Sequence, residues 1–277
     1  MSSSIRELNI RQLGLNQDCQ LLLQKMREVE EFVEDFSFLS LGRDHIICDR
    51  WSLSLQRIIT SVKLTAGNII SCCESACIAD ANALLRKYRD DLFFYLYIVV
   101  FDANSKLTNS SDETARMKKY ITRWIKNGLS NLSVNEVLRA IGRSPNVNGA
   151  VVKYKLQAYF TDIGKRLNNY VHSNGYAYYN LNINAYKDDE LYEKMNALLC
   201  DMKLITITFL FLLILCSPLS VMSNDYIDFL DSNMEPPSGS QYWVAPFAED
   251  FIKENICLID KSCINYLQDN TPMQFSL

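Results

Sequence analysis

Two side chains able to act on a phosphodiester lie six positions apart in the segment RLNNYVH, which runs from Arg166 to His172 and also contains Asn169. An arginine makes planar, charge-assisted contacts with phosphate oxygens, and a histidine exchanges a proton near neutral pH. On a regular helix, residues six apart point about 120° away from each other. Arg166 and His172 therefore converge only if the helix loosens near His172 or if a second copy of the chain completes the site.

The same residues also fit a structural role. A histidine in the last turn of a helix is favoured by the negative end of the helix dipole, and Asn174-Gly175 supplies the usual left-handed exit. This alternative predicts that His172 ends the helix and takes no part in catalysis.

An amphipathic helix must position these side chains. Its apolar residues recur at steps of three and four and form one stripe, made of Tyr154, Leu156, Tyr159, Phe160, Ile163, Leu167 and Tyr170. Over residues 147–175, this helix carries an arginine, five intervening residues and a histidine near its end, and it resembles the HEPN superfamily of helical bundles. The resemblance implies a metal-independent endoribonuclease. In it, His172 would act as acid or base on a ribose hydroxyl, Arg166 would hold the scissile phosphate, and Asn169 would orient that phosphate.

The rest of the chain predicts a mainly α-helical protein. It is rich in Leu, Ile, Tyr and Phe and poor in Gly and Pro, and its net charge of −4 gives it no overall attraction to nucleic acid. The stretch Trp51–Phe101 predicts one long helix or two consecutive helices. Ser110 with Glu113, and Ser133 with Glu136, form two capping boxes that each predict the start of a helix.

The cysteine pattern argues against a disulfide framework or a zinc ribbon. The nine cysteines are odd in number and form no CxxC pair, and only His45 and His172 are available to complete a metal site. We therefore expect no metal and no cofactor.

The longest apolar run is the uncharged stretch from Leu204 to Asn224. As a helix, its part over 204–222 extends about 28 Å, close to the roughly 30 Å hydrocarbon core of a bilayer. This length predicts a transmembrane helix. The alternative is the central helix of a bundle, which is apolar on all sides because protein surrounds it.

The flanks of the run orient it in a membrane. Lys194 and Lys203 precede it, and the charged residues that follow it are all acidic until Lys253. Because positive charge stays on the cytoplasmic side, and because the first residues lack the apolar region of a secretory signal, the N-terminal part is predicted to be cytoplasmic. The predicted organisation is a cytosolic helical bundle over 1–203, a single-pass span over 204–222, and an acidic and aromatic tail over 223–277 with a short α-helix.

This architecture resembles the accessory membrane effectors of bacterial anti-phage cassettes, including those paired with retrons. The resemblance implies an abortive-infection effector of the bacterial inner membrane, restrained by a regulatory partner protein or by nucleic acid from the same cassette. Release would let the chain form a homo-oligomer among the membrane lipids and perturb the membrane, since a single helix encloses no pore. The alternatives are a soluble HEPN-type ribonuclease toxin that uses Arg166 and His172, which would be cytoplasmic, and a non-catalytic helical interaction module.

Overall fold

The computed structural model describes residues 4–40, 45–48, 50–106, 112–128, 132–235 and 243–275, and most of these residues are helical. The helices are α1 (Ile5–Leu15), α2 (Gln17–Leu39), α3 (Leu55–Glu74), α4 (Ile78–Lys106), α5 (Asp112–Ile125), α6 (Val134–Ile141), α7 (Pro145–Lys153), α8 (Leu156–Val171), α9 (Tyr176–Asn180), α10 (Asp188–Cys216), α11 (Asn224–Asp231), α12 (Pro246–Asn255) and α13 (Cys263–Asn270). Two short 3₁₀ helices span Pro218–Val221 and Ile256–Leu258. The predicted mainly α class is confirmed.

The helical prediction for Trp51–Phe101 is confirmed in part. The stretch forms two consecutive helices, α3 and α4, but Trp51–Ser54 is wrongly included, because it forms strand β2. This strand pairs antiparallel with β1 (His45–Cys48), and Ile46 lies opposite Leu53. Pairing with β1 holds residues 51–54 extended, and the helical spacing of apolar residues begins only at Leu55.

One of the two predicted capping boxes, at Ser133 and Glu136, is confirmed. The Ser133 hydroxyl accepts a hydrogen bond from the Glu136 N–H at 3.2 Å, and the Ser133 N–H donates to the Glu136 carboxylate at 2.9 Å. The second predicted capping box, at Ser110 and Glu113, lies partly outside the described residues. The reciprocal bonds at Ser133 satisfy two N–H groups at the start of α6 and set its first residue.

Helix α10 runs through the centre of the molecule and contacts α2, α4, α7, α12 and α13. Its side chains from Ile205 to Ile214 are all buried. The Phe209 ring lies edge-on to Phe36 of α2 at 5.9 Å and to Tyr95 of α4 at 5.7 Å. An all-round apolar helix therefore has protein against every face, as a core helix requires.

Helix α10 begins and ends at different residues from the predicted span. It is continuous from Asp188, so position 204 lies inside it, and it ends at Cys216, with Pro218 starting the 3₁₀ helix that follows. Proline fixes the backbone and lacks an N–H, so it cannot continue the helix. The helical part of the apolar run, Leu204–Cys216, is therefore only about 20 Å long at 1.5 Å per residue.

The C-terminal tail packs onto the same core. Ala245 donates its N–H to the Val221 carbonyl at 2.9 Å, which joins the chain after the gap in the described residues to the end of the apolar run. Phe251 of α12 stacks on Phe32 of α2, with ring centroids 4.1 Å apart. Buried residues from 1–203, 204–222 and 223–277 thus belong to one hydrophobic cluster.

Candidate functional site

Helix α8 holds the predicted catalytic residues, and its apolar stripe fixes its orientation. Phe160, Ile163 and Leu167 are buried, and the helix packs against α4, α6 and α7. The Phe160 ring lies edge-on to Phe93 of α4 at 4.6 Å. The predicted stripe is confirmed, although Lys155, with φ 53°, separates Tyr154 from α8.

Arg166 points toward the central helix and pairs there with Asp201. Its Nη2 donates to Asp201 Oδ1 at 2.8 Å, and its Nη1 lies 2.5 Å from Oδ2. The Asp201 carboxylate is nearly buried, whereas 41% of the Arg166 side chain is exposed. The hydrogen bond to Asp201 raises the pKa of Arg166 further above its already high usual value. Only the Nη2 contact is a hydrogen bond, because Asp201 Oδ2 has no hydrogen-bond partner among the described residues. Other N–H groups of the five on the guanidinium therefore remain for a further ligand.

Tyr159 lies beside this ion pair. The sequence predicts it only as part of the apolar stripe and not as a site residue. Its hydroxyl is buried without a hydrogen-bond partner among the described residues, and burial raises its pKa, as does the nearby charge of Asp201. Asp201 was also missed as a partner for Arg166. The only sequence signal for it is a lone carboxylate just before the apolar run, which implies a buried charge in need of a cation.

Asn169 faces the short helix α9. Its Nδ2 donates to the Tyr178 hydroxyl at 3.3 Å, and its Oδ1 accepts from Asn174 Nδ2 at 3.5 Å. The Tyr178 ring also packs edge-on against Tyr170, with centroids 5.0 Å apart. These contacts hold α9 against the end of α8.

His172 ends α8 with an exposed side chain. The backbone N–H of His172 donates to the Asn168 carbonyl at 3.0 Å, and the next residue, Ser173, takes the left-handed conformation with φ 47°. The predicted exit at Asn174-Gly175 is therefore wrong by one or two residues. The Asn174 N–H bonds back to the Asn169 carbonyl at 3.0 Å, so Ser173 must occupy the left-handed position of the terminating turn.

The structure does not gather the three predicted residues into one hydrogen-bonded group. Within the described part of the chain, no hydrogen bond joins Arg166 or Asn169 to His172. Helix α8 stays regular through Val171, so the 120° separation between Arg166 and His172 persists in a single chain. A site containing both residues therefore needs a second copy.

A metal centre finds no support in this arrangement. Among the residues that the structure describes, no three His, Cys, Asp or Glu side chains lie close enough to hold a metal ion. The contacts of α8 instead provide a half-exposed arginine, an exposed histidine and tyrosine rings near its end, which suits contacts with a phosphodiester and a base.

Helix α10 is the one described helix that is long and apolar enough to cross a membrane, and 83% of its most apolar 18 residues are buried. No protein family, curated protein or solved structure matches this chain.

Proposed function

We propose that the protein is a soluble α-helical effector of the HEPN type that acts on RNA through the C-terminal end of α8. The observation that carries this proposal is the burial of α10. Every face of its apolar stretch packs against protein, so α10 itself presents no apolar face to lipid. The exposed polar surface at the end of α8 is then the part best suited to chemistry.

In the proposed reaction, His172 accepts the proton of a ribose 2′-hydroxyl as its oxygen attacks the adjacent phosphorus. The bond to the 5′-oxygen breaks, and that oxygen takes a proton from a protonated His172 of a second copy, leaving a 2′,3′-cyclic phosphate and a 5′-hydroxyl end. The free N–H groups of Arg166 stabilise the negative charge that develops on the phosphate. Asp201 keeps the Arg166 guanidinium in place during this step.

A cleavage assay with the full chain tests this proposal. We expect a 5′-labelled single-stranded RNA to be cut to fragments with cyclic phosphate ends, and His172→Ala to lower the rate at least about 100-fold, the usual contribution of a positioned acid or base. His45→Ala is the matched control, because it removes the other histidine of the chain. Fragments produced equally by wild type and His172→Ala would refute the assignment. Binding of RNA with no cleavage by either would instead indicate the non-catalytic interaction module.

A second function, the inner-membrane effector, is supported by the length and composition of α10. In this function, a regulatory partner restrains the chain, and its release lets several copies insert α10 among membrane lipids. The 20 Å helical part of the apolar run is short for a roughly 30 Å hydrocarbon core, so insertion would have to draw Asp201 and Lys203 toward the membrane.

Alkaline carbonate extraction of membranes from cells expressing the intact chain separates the two functions. If the protein is the soluble, cytoplasmic ribonuclease, we expect to recover it in the supernatant. Retention in the pellet would overturn it and support the membrane effector. In that case, Leu212→Arg should abolish growth arrest, since a charge within the apolar stretch opposes insertion, while His172→Ala should leave growth arrest unchanged.

A further inference from the structure

A polar cleft of about 590 Å³ lies between α4, α6 and α8, on a different face of α8 from Arg166. Thr161, Lys165 and Asn168 of α8 line it, at steps of four and three residues that place them along one side of the helix. Its volume falls within the range of small-molecule sites, roughly 300 to 1,000 Å³.

The cleft carries an excess of positive charge. Arg86 and Arg89 of α4 and Lys165 of α8 line it, against the single carboxylate of Asp90. Asp90 interacts with both arginines, at 3.6 Å from Arg86 and 2.6 Å from Arg89. Lys165 makes no ion pair with any described residue, so its charge is available to an anion.

Arg89 is held so that part of its guanidinium remains available. Only 8% of its side chain is exposed, and its Nε and Nη2 donate to Asp90 Oδ1 at 2.9 and 2.6 Å. Its Nη1 lies against Gly164, where an added Cβ would stand 3.2 Å from it. Because Gly164 has no side chain, the buried guanidinium of Arg89 fits beside it. The Nη1 atom of Arg89 has no hydrogen-bond partner among the described residues.

Two amide oxygens at this cleft lack donors. Asn135 Oδ1 and Asn168 Oδ1 are buried without a hydrogen-bond partner in the described part of the chain. The orientation of Asn135 follows from its neighbour. Thr161 donates its hydroxyl hydrogen to the Gln157 carbonyl at 2.8 Å, so it can only accept from the Asn135 NH₂ group, which lies 3.2 Å away. The unpaired atom of Asn135 is therefore the oxygen, and it needs a donor.

We propose that this cleft binds the phosphate and ribose of a ribonucleotide, either free or within single-stranded RNA. Lys165 and the Nη1 group of Arg89 contact the phosphate. Ribose hydroxyls or base amino groups donate to the oxygens of Asn135 and Asn168 once each amide rotates to expose its buried oxygen to the cleft. Inorganic phosphate at neutral pH has at most two O–H donors and carries no ribose or base, so it lacks most contacts of a whole nucleotide and should bind more weakly than AMP. This inference goes beyond the proposed cleavage reaction, because it requires binding at the cleft and no chemistry at His172.

Calorimetric titration of the full-length His172→Ala chain, which leaves RNA uncut, with 5′-AMP, adenosine, inorganic phosphate and hexa-adenylate RNA tests the proposal. We expect AMP or the oligonucleotide to bind, and Lys165→Glu to weaken that binding about 10- to 100-fold, the effect of one charge-assisted contact. Lys187→Glu, at an exposed lysine outside the cleft, is the matched control and should bind as wild type. Gly164→Ala should also weaken binding, since its methyl group displaces Arg89.

The two nucleotide probes, AMP and the hexa-adenylate, distinguish the sources of the ligand. Tighter binding of AMP indicates a free nucleotide, and tighter binding of the hexa-adenylate indicates RNA. The proposal is overturned if neither probe shows binding that depends on Lys165, or if inorganic phosphate binds as tightly as AMP. His172→Ala should keep the binding at the cleft while losing cleavage, so failure of the cleft and failure of the ribonuclease proposal give different results.

Discussion

Two threonines of α10, only two residues apart, should respond in opposite directions to the same substitution. Thr206 and Thr208 are both fully buried. The Thr206 hydroxyl donates to the Met202 carbonyl at 2.7 Å and lies 2.7 Å from the Tyr88 hydroxyl, which must therefore donate to it. The Thr208 hydroxyl has no partner among the described residues. We predict that Thr206→Val destabilises the fold and that Thr208→Val stabilises it.

The magnitudes follow from what each substitution leaves behind. Thr206→Val keeps the shape but leaves the buried Tyr88 O–H without an acceptor, which costs about 1–3 kcal/mol. Thr208→Val replaces an unpaired buried hydroxyl with a methyl group and removes a desolvation penalty of about 1 kcal/mol or more. Valine and threonine have similar helix propensities, so the backbone contributes little to either change. The melting temperature should shift by about 2–4 °C per kcal/mol for a chain of this size.

Urea unfolding followed by far-UV circular dichroism measures both effects. The double variant Tyr88→Phe/Thr206→Val should recover most of the stability lost in Thr206→Val, because both partners are then apolar. Equal effects of the two threonine substitutions, or an absence of coupling between Tyr88 and Thr206, would refute the placement of α10 against α4. A helix α10 inserted in lipid would show no such coupling.

Three further outcomes are expected. Ser173→Gly should raise the free energy of unfolding by about 0.5–1 kcal/mol, because Ser173 has φ 47°, whereas Ser232→Gly, at φ −81°, should lower it in the same urea titration. Asp260→Asn should reduce the loss of stability in acid. The backbone N–H and the hydroxyl of Ser262 donate hydrogen bonds to Asp260 and lower its pKa. The carboxylate therefore stabilises the fold above its unfolded pKa, and this contribution is lost as the pH falls through the lower folded pKa. A pH dependence of stability identical to that of the wild type would contradict this. Cys200 and Cys257 are exposed, so they should be the first thiols to react with Ellman's reagent, and early labelling of buried cysteines in peptide maps would contradict the packing.

Local signals in the sequence were sufficient to predict features that depend only on neighbouring residues, such as the start of a helix or its buried face. The capping box at Ser133 sets the start of α6, and the apolar stripe of α8 faces the core as its spacing requires. The strand at Trp51–Ser54 could not be separated from the helix that follows it, because its pairing partner lies in another segment. A short strand is recognisable only with the residues across from it.

In the candidate site, too, the sequence shows the residue types and their spacing, whereas the contacts between distant residues appear only in the fold. The residue types and spacing of Arg166, Asn169 and His172 are visible in the sequence, and so is their 120° separation on a helix. The sequence does not indicate that Arg166 pairs with Asp201, 35 residues away, or that Asn169 holds Tyr178. Such contacts depend on which helix faces are brought together, and the cleft of Arg89 and Asn168 depends on three helices at once.

The sequence by itself determined that the protein is mainly helical, and it predicted an all-round apolar helix over 204–222, of which Leu204–Cys216 is α-helical. Only the tertiary structure decided what lies against that helix. A protein interior and a bilayer core are both apolar, so hydropathy along the chain is compatible with either. The difference lies in the side chains of α2, α4, α7, α12 and α13, which reach α10 only through the fold.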